Sequence, residues 1–213
     1  MKGRKQRIDG VETREALVAA AEAEFAAVGF ELASVRNICR AAGANCALAN
    51  RYFGTKEELY AIVAKRLFGD LGAPLARLAD GVKDAKGWRA AVTEWIDDFL
   101  YMTLPTEPRQ KLCAGLFRHE VTRPTKFHED FERDFGKPVY DSLRRLLAMA
   151  VGDGVQLELW TSLVWSEVSV YALADSRWHR AFRPEGRTTS EWRDEIRDFL
   201  CERIFSALRF RKA

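Results

Sequence analysis

Apolar positions recur every three or four residues over most of the chain, the period of an amphipathic helix. From Thr13 to Val28 the stripe is Leu17, Ala20, Ala21, Phe25 and Val28, and Gly29 follows in the place of a terminating glycine. Ser34 is placed to cap a short helix running to Ala41. Ala42-Gly43-Ala44 reads as a turn, and Asn45 caps a second short helix ending near Arg51. Thr55-Lys56-Glu57-Glu58 has the spacing of a capping box, and the helix it opens carries Leu59, Ile62, Val63, Leu67 and Leu71 on one face.

Beyond Gly72 the pattern weakens, punctuated by Pro74, Gly81 and Gly87. It then predicts helices over residues 88–103 and 109–121, a restart at Pro124-Thr125 with a helix kinked or restarted at Pro138 that continues to 151, and helices over 154–174 and 190–209, with an Arg-rich loop from Ser176 to Thr189 before the last. No Asn-Gly hairpin signal interrupts this, and no repeat is visible. The expected fold is all-α with about nine helices: a basic, flexible tail over 1–9, a small three-helix unit over 10–56, and a larger C-terminal helical bundle over 57–213. Phe25, Ile38, Phe53 and Leu59 sit on inward stripes and are expected in the core.

Composition narrows the function. The 213 residues are 47% hydrophobic and 31% charged, as in a soluble globular protein. No apolar run approaches the ~20 residues that span a bilayer. Met1–Arg7 is basic but lacks a following apolar segment, so no secretory signal is expected and the cytoplasm is the expected compartment. With 34 Lys+Arg against 31 Asp+Glu, the net charge is only +3, so a nucleic-acid reading rests on where charges sit. Cys39, Cys46, Cys113 and Cys201 form no CxxC and are expected as free thiols. No GxSxG, Walker loop or GxGxxG occurs, and the adjacent Asp97 and Asp98 point about 100° apart on a helix, so they form no dyad and the chain is expected not to be an enzyme. His119, Glu120 and His128 are metal-ligand types without HExxH spacing; neither metal nor cofactor is expected.

The two short helices joined at Gly43 form a helix-turn-helix. The second is short enough for a major groove about 12 Å wide and thin on bulky apolar side chains, so its backbone can approach base edges closely. The ordered set is more specific. Thr13-Arg14, then Ala20-Ala21-x-x-x-Phe25-x-x-x-Gly29, then Ser34-Val35-Arg36-x-Ile38-x-x-Ala41-x-Gly43, then Tyr52-Phe53-Gly54-Thr55-Lys56-Glu57-Glu58-Leu59 resembles the DNA-binding domain of the TetR/AcrR family of bacterial transcriptional regulators over residues 10–65. Leu116-Phe117-Arg118-His119-Glu120-x-x-x-Pro124-Thr125 and Pro138 are similar to the CecR-type branch. The chain departs from the usual family pattern at Ala49, Asn50 and Tyr52.

The resemblance implies a homodimeric, ligand-responsive repressor on a palindromic operator, released by a small-molecule effector, with no membrane partner. Residues 10–56 would read DNA, and residues 57–213 would bind the ligand and dimerise. The DNA-contact candidates are Ser34, Arg36, Asn45, Cys46, Ala47, Asn50, Arg51, Tyr52 and Lys56. Lys56 lies in the first turn of a helix, where a cation is slightly disfavoured, which suggests a phosphate partner. The basic tail, with Lys2, Arg4, Lys5 and Arg7, is a candidate minor-groove arm. For a ligand, Trp95, Phe99, Phe117, Phe127, Trp160 and Trp165 are candidate walls, and Arg118, His119, Glu120 and His128 candidate anchors. Two stripes are expected to pair subunits: Leu157, Trp160, Val164, Val168 and Tyr171, and Trp192, Ile196, Phe199, Leu200, Ile204, Ala207 and Leu208. The alternative is an architectural binder without sequence preference, against which the small net charge counts.

Overall fold

The computed structural model describes the backbone of residues 2–173 and 183–211. Among these are ten α-helices and one π-helical turn. They are α1 (Lys2–Leu32), α2 (Val35–Ala41), α3 (Cys46–Phe53), α4 (Lys56–Arg77), α5 (Ala85–Thr103), α6 (Pro108–Thr122), α7 (His128–Phe131), the π-turn (Glu132–Gly136), α8 (Lys137–Val151), α9 (Val155–Leu173) and α10 (Thr189–Ala207). Nine match the predicted helices. The addition, α7, is too short to show a period; the Thr125 hydroxyl, accepting from Phe127 N–H at 3.1 Å, shapes the turn that leads into it. Among the described residues no helix is long and apolar enough to cross a membrane. The first half of the predicted Arg-rich loop, 176–182, lies outside the described residues.

The N-terminal stripe is inward as read: Leu17, Ala21 and Phe25 are fully buried, though Val28 is exposed. Gly29 takes φ 76°, a conformation costly for any residue with a Cβ, and breaks the α1 axis so that Phe30 turns back into the core. The backbone of 2–9 is helical and continues α1, in place of the expected flexible tail. Lys, Arg and Gln dominate that stretch and are good helix formers, so nothing local stops the helix; their side chains lie outside the described residues. Helix α4 also runs further than expected, through Gly72 and Pro74 to Arg77. Leu75 is buried beyond the proline, and its carbonyl accepts from the Ser142 hydroxyl of α8 at 2.7 Å, which satisfies a terminal acceptor.

Helix α5 is the centre of the bundle, with Trp88, Val92, Trp95, Ile96, Phe99 and Leu100 all buried. Its two indoles each donate to α8: Trp88 to the Leu146 carbonyl at 2.7 Å and Trp95 to the Val139 carbonyl at 3.3 Å. The buried residues form one core cluster from the N-terminal helices into the bundle.

The pairing stripes need correction. Leu157, Val164 and Val168 of α9 are buried within the subunit, as are Ile196, Ile204 and Leu208, while Trp160, Tyr171, Trp192 and Leu200 are half-buried against the same core. The apolar surface left open keeps Phe199 of the predicted α10 stripe but takes a different face of α9, with Val155, Leu159, Leu163 and Val170, each of the five at least 50% exposed. Helix α9 is apolar nearly all round, so periodicity alone does not say which side is the inner one.

Candidate nucleic-acid interface and effector cavity

Helices α2 and α3 are joined by a turn in which Gly43 adopts φ 62° and Ala44 N–H donates to the Cys39 carbonyl at 2.9 Å. Asn45 caps α3 as expected, its side-chain oxygen accepting from Ala47 N–H at 2.8 Å. Ser34 holds the cap position of α2 but makes no side-chain cap bond. The carboxylate of Glu24 takes over from α1, accepting from Ser34 N–H and from the Asn37 amide, both at 3.1 Å. That cap comes from ten residues away in the chain, beyond the reach of a local pattern.

Helix α3 is two-faced. Ala49 and Phe53 are buried against the core, whereas Asn45, Ala47, Asn50 and Arg51 are exposed and Cys46 is half-buried. Arg36 and Arg51 are exposed and make no hydrogen bond or ion pair among the described residues, so both guanidinium groups face solvent with their donors unused. Tyr52 is half-buried, its ring 6.1 Å from Phe53 and its hydroxyl against Gly10 of α1. Burial pushes the Cys39 thiol up to about 11, helped by the neighbouring Cys46 thiol.

The capping box at α4 is formed: Glu58 N–H donates to the Thr55 hydroxyl at 3.2 Å and Thr55 N–H to Glu58 Oε2 at 2.8 Å. The Thr55 N–H, and then the Thr55 hydroxyl donating to the same oxygen at 3.0 Å, hold the Glu58 carboxyl below the usual carboxylate range. Lys56, in the same turn, donates to the Glu31 carbonyl at 3.3 Å.

Two cavities open in the larger domain. One, of about 690 Å³, lies among α6–α9 and is lined by Phe117, Val121, His128, Tyr140 and Trp165 among others. The other, of about 430 Å³, lies between α4, α6 and the α7 region and is lined by Tyr60, Phe68, Glu120, Phe127, Phe131 and Phe135 among others. Of the predicted ligand residues, Phe117, His128 and Trp165 meet the larger cavity and Glu120 and Phe127 the smaller. Trp95 and Phe99 are buried core beneath Trp165, with Phe99 5.0 Å from its ring. Trp160 and Arg118 are half-buried and line neither cavity. His119 turns the other way, toward Gly29 of α1, and burial lowers its pKa.

Glu120 is 1% exposed. It accepts from the Tyr60 hydroxyl, from the Thr125 hydroxyl at 2.9 Å and from Thr125 N–H at 3.4 Å. Burial, then the Glu120 carboxylate, pushes the Tyr60 hydroxyl well above the usual phenol value. Sequence reasoning misses Tyr60, which with Phe127 lines the cavity and also meets the N-terminal unit. Their rings are 5.1 Å apart, and each packs on Phe30, at 5.1 and 5.4 Å.

Residues 17–63 match the sequence profile of the bacterial regulatory proteins of the tetR family. The chain is 27% identical over 176 residues to the HTH-type transcriptional dual regulator CecR of Shigella flexneri, covering 78% of each protein. Its fold is that of NalD, the secondary repressor of the MexAB-OprM multidrug efflux pump in Pseudomonas aeruginosa (TM-score 0.64, 19% identity, 94% of this chain and 98% of that one). It is also that of HlyIIR, a hemolysin II transcriptional regulator (TM-score 0.62, 19% identity, 95% and 99%). The chain is therefore similar to tetR-family regulators in the sequence of residues 17–63 and in its fold.

The N-terminal helix-turn-helix unit is bolted to the bundle at three places. Glu22 of α1, its side chain 6% exposed, has Arg66 Nε of α4 at 3.1 Å and Arg109 Nη1 of α6 at 3.8 Å, close ion contacts without hydrogen-bond direction. Gly115 of α6 lets the helices touch: a Cβ there would stand 2.5 Å from the Ala26 carbonyl oxygen. Lys126, just before α7, reaches Glu57 in the first turn of α4 at 3.1 Å.

Proposed function

We propose that the chain is a ligand-responsive repressor that binds a palindromic operator as a homodimer and leaves it when a small molecule enters the C-terminal domain. The observation that carries this reading is the outer face of α3, where small and polar residues are exposed beside the uncommitted Arg36 and Arg51. Asn45, Ala47, Asn50 and Arg51 are the base-edge candidates, with Cys46 at the margin; Arg36, Ser34, Tyr52 and Lys56 hold phosphates. Pairing through the open face of α9 and Phe199 of α10 supports two such helices on one duplex, about 34 Å apart or a multiple of it. The two cavities, with Phe117, Trp165 and Glu120 in their walls, support a small-molecule effector. The role places the protein in the cytoplasm and asks no turnover of it. A second reading, favoured by the dual regulator from Shigella flexneri, is activation at some promoters as well as repression.

Fluorescence anisotropy with a duplex from upstream of the protein's own gene, against a scrambled duplex of equal composition, tests this. Strong preference for the native duplex is expected, with affinity falling linearly in log–log salt by about 0.9 per phosphate contact. Equal affinity for both duplexes makes the protein an architectural binder and overturns the reading.

A further inference from the structure

The smaller cavity has an uneven charge. Its wall is aromatic, with Tyr60, Phe68, Phe127, Phe131 and Phe135, and the one fully buried charged side chain in that wall is Glu120. The partners of this carboxylate are neutral: two hydroxyls and one backbone N–H. The basic group in ion contact with it, His128, has Nδ1 3.7 Å from Glu120 Oε2 and Nε2 3.2 Å from Glu132, and of the two cavities it lines only the larger. Among the described residues, no cation therefore pairs with Glu120 from the cavity side. Nearer the surface, Arg133 is occupied by Asp130 and by Asp134, each at 2.7 Å. The lining holds three carboxylates, Glu120, Asp130 and Asp134, against Lys65 and Arg133. Burying a carboxylate among apolar groups is costly unless a charge answers it, and the faces of aromatic rings attract cations.

We infer that this cavity takes a lipophilic cation, an ammonium or phosphonium centre on an aromatic or aliphatic body, with Glu120 as counter-ion and the rings as its cage. The inference rests on the ligand-responsive reading above and gives the effector its chemical class. An anionic ligand meets a like charge at Glu120. A neutral one adds no charge to the hydroxyl and N–H partners that the carboxylate already has.

Isothermal titration of the full-length protein with tetraphenylphosphonium, neutral triphenylphosphine oxide and anionic tetraphenylborate tests it. The phosphonium is expected to bind at least about tenfold more tightly than the oxide, and the borate not to bind. Glu120→Gln, which keeps the side-chain shape, should lose at least about tenfold for the phosphonium and leave the oxide unchanged. Ala64→Phe fills the cavity from α4 with Glu120 in place and should abolish phosphonium binding, which keeps the test decisive if the Glu120 variant does not fold. Oxide or borate binding as tight as the phosphonium overturns the inference, as does wild-type phosphonium affinity in both variants. Promoter DNA run alongside separates the two readings. Glu120-dependent phosphonium binding that leaves DNA bound supports the cation site and defeats ligand-responsive release. Release by the oxide or borate without phosphonium binding defeats the cation site and keeps ligand-responsive release.

Discussion

The ammonium of Lys56 stands 4.6 Å from the centroid of the Phe30 ring. With its bond to the Glu31 carbonyl, this cation–π contact pins the first turn of α4 against the bent end of α1. Phe30 in turn touches Tyr60 and Phe127 in the cavity wall. One ring therefore lies between a candidate phosphate contact and the candidate effector site.

Lys56→Met keeps the aliphatic stem on Phe30 and removes the charge. Affinity for every duplex should fall by a similar factor, and the salt slope should shrink by about one phosphate contact. Stability should change by less than about 1 kcal/mol, because half-buried surface cations contribute little. Anisotropy across a salt series and urea unfolding check the two halves.

Gly115→Ala places a methyl 2.5 Å from the Ala26 carbonyl oxygen, a separation that real Cβ atoms do not show. Helices α1 and α6 must part, at a cost of about 1–3 kcal/mol in urea unfolding, and operator affinity should drop with the displaced head. Gly69→Ala is the control. Its Cβ meets nothing within 4 Å on α4, so helix propensity should raise stability by about 0.5–1 kcal/mol.

His119 gives the fold a pH dependence of known sign. Burial lowers its pKa, so at neutral pH and above it is uncharged whether the chain is folded or not. As pH falls below the unfolded value of about 6.5, the unfolded chain takes the proton first, and stability is lost until the folded value is passed. Urea unfolding at pH 7.5 and 5.5 should show a larger acid loss in wild type than in His119→Gln. Equal losses would remove His119 from the account.

Arg66→Ala strips Glu22 of its nearer cation and leaves Arg109 at 3.8 Å. A buried carboxylate short of partners should cost about 1–3 kcal/mol. Glu22→Gln combined with Arg66→Ala should recover part of that loss, and the double-mutant cycle measures the coupling.

The residues legible from sequence are those whose reasons are local. Asn45 with Ala47, and Thr55 with Glu58, are contacts within one turn, so spacing alone places both helix starts correctly. Ser34 shows the limit: a good capping residue stands at the right position, but the carboxylate that does the work arrives from α1. Neighbouring His119 and Glu120 both have the chemistry of ligand anchors, yet adjacent helical residues diverge, and one faces α1 while the other faces the cavity. Much of the cavity wall comes from α7 and the π-turn, elements too short to carry a period, so Phe131 and Phe135 give no signal.

The single core has a practical meaning for anyone dissecting this regulator. Residues 10–56 look like a portable module, but Tyr60, 5.0 Å from Phe25 and in contact with Phe30, lies past that border, as do Leu59 and Val63. A fragment ending at Lys56 would expose the underside of α1 and lose the wall that the head leans on. Grafting the helix-turn-helix onto another protein therefore requires transplanting α4 and the facing stretch of α6 along with it.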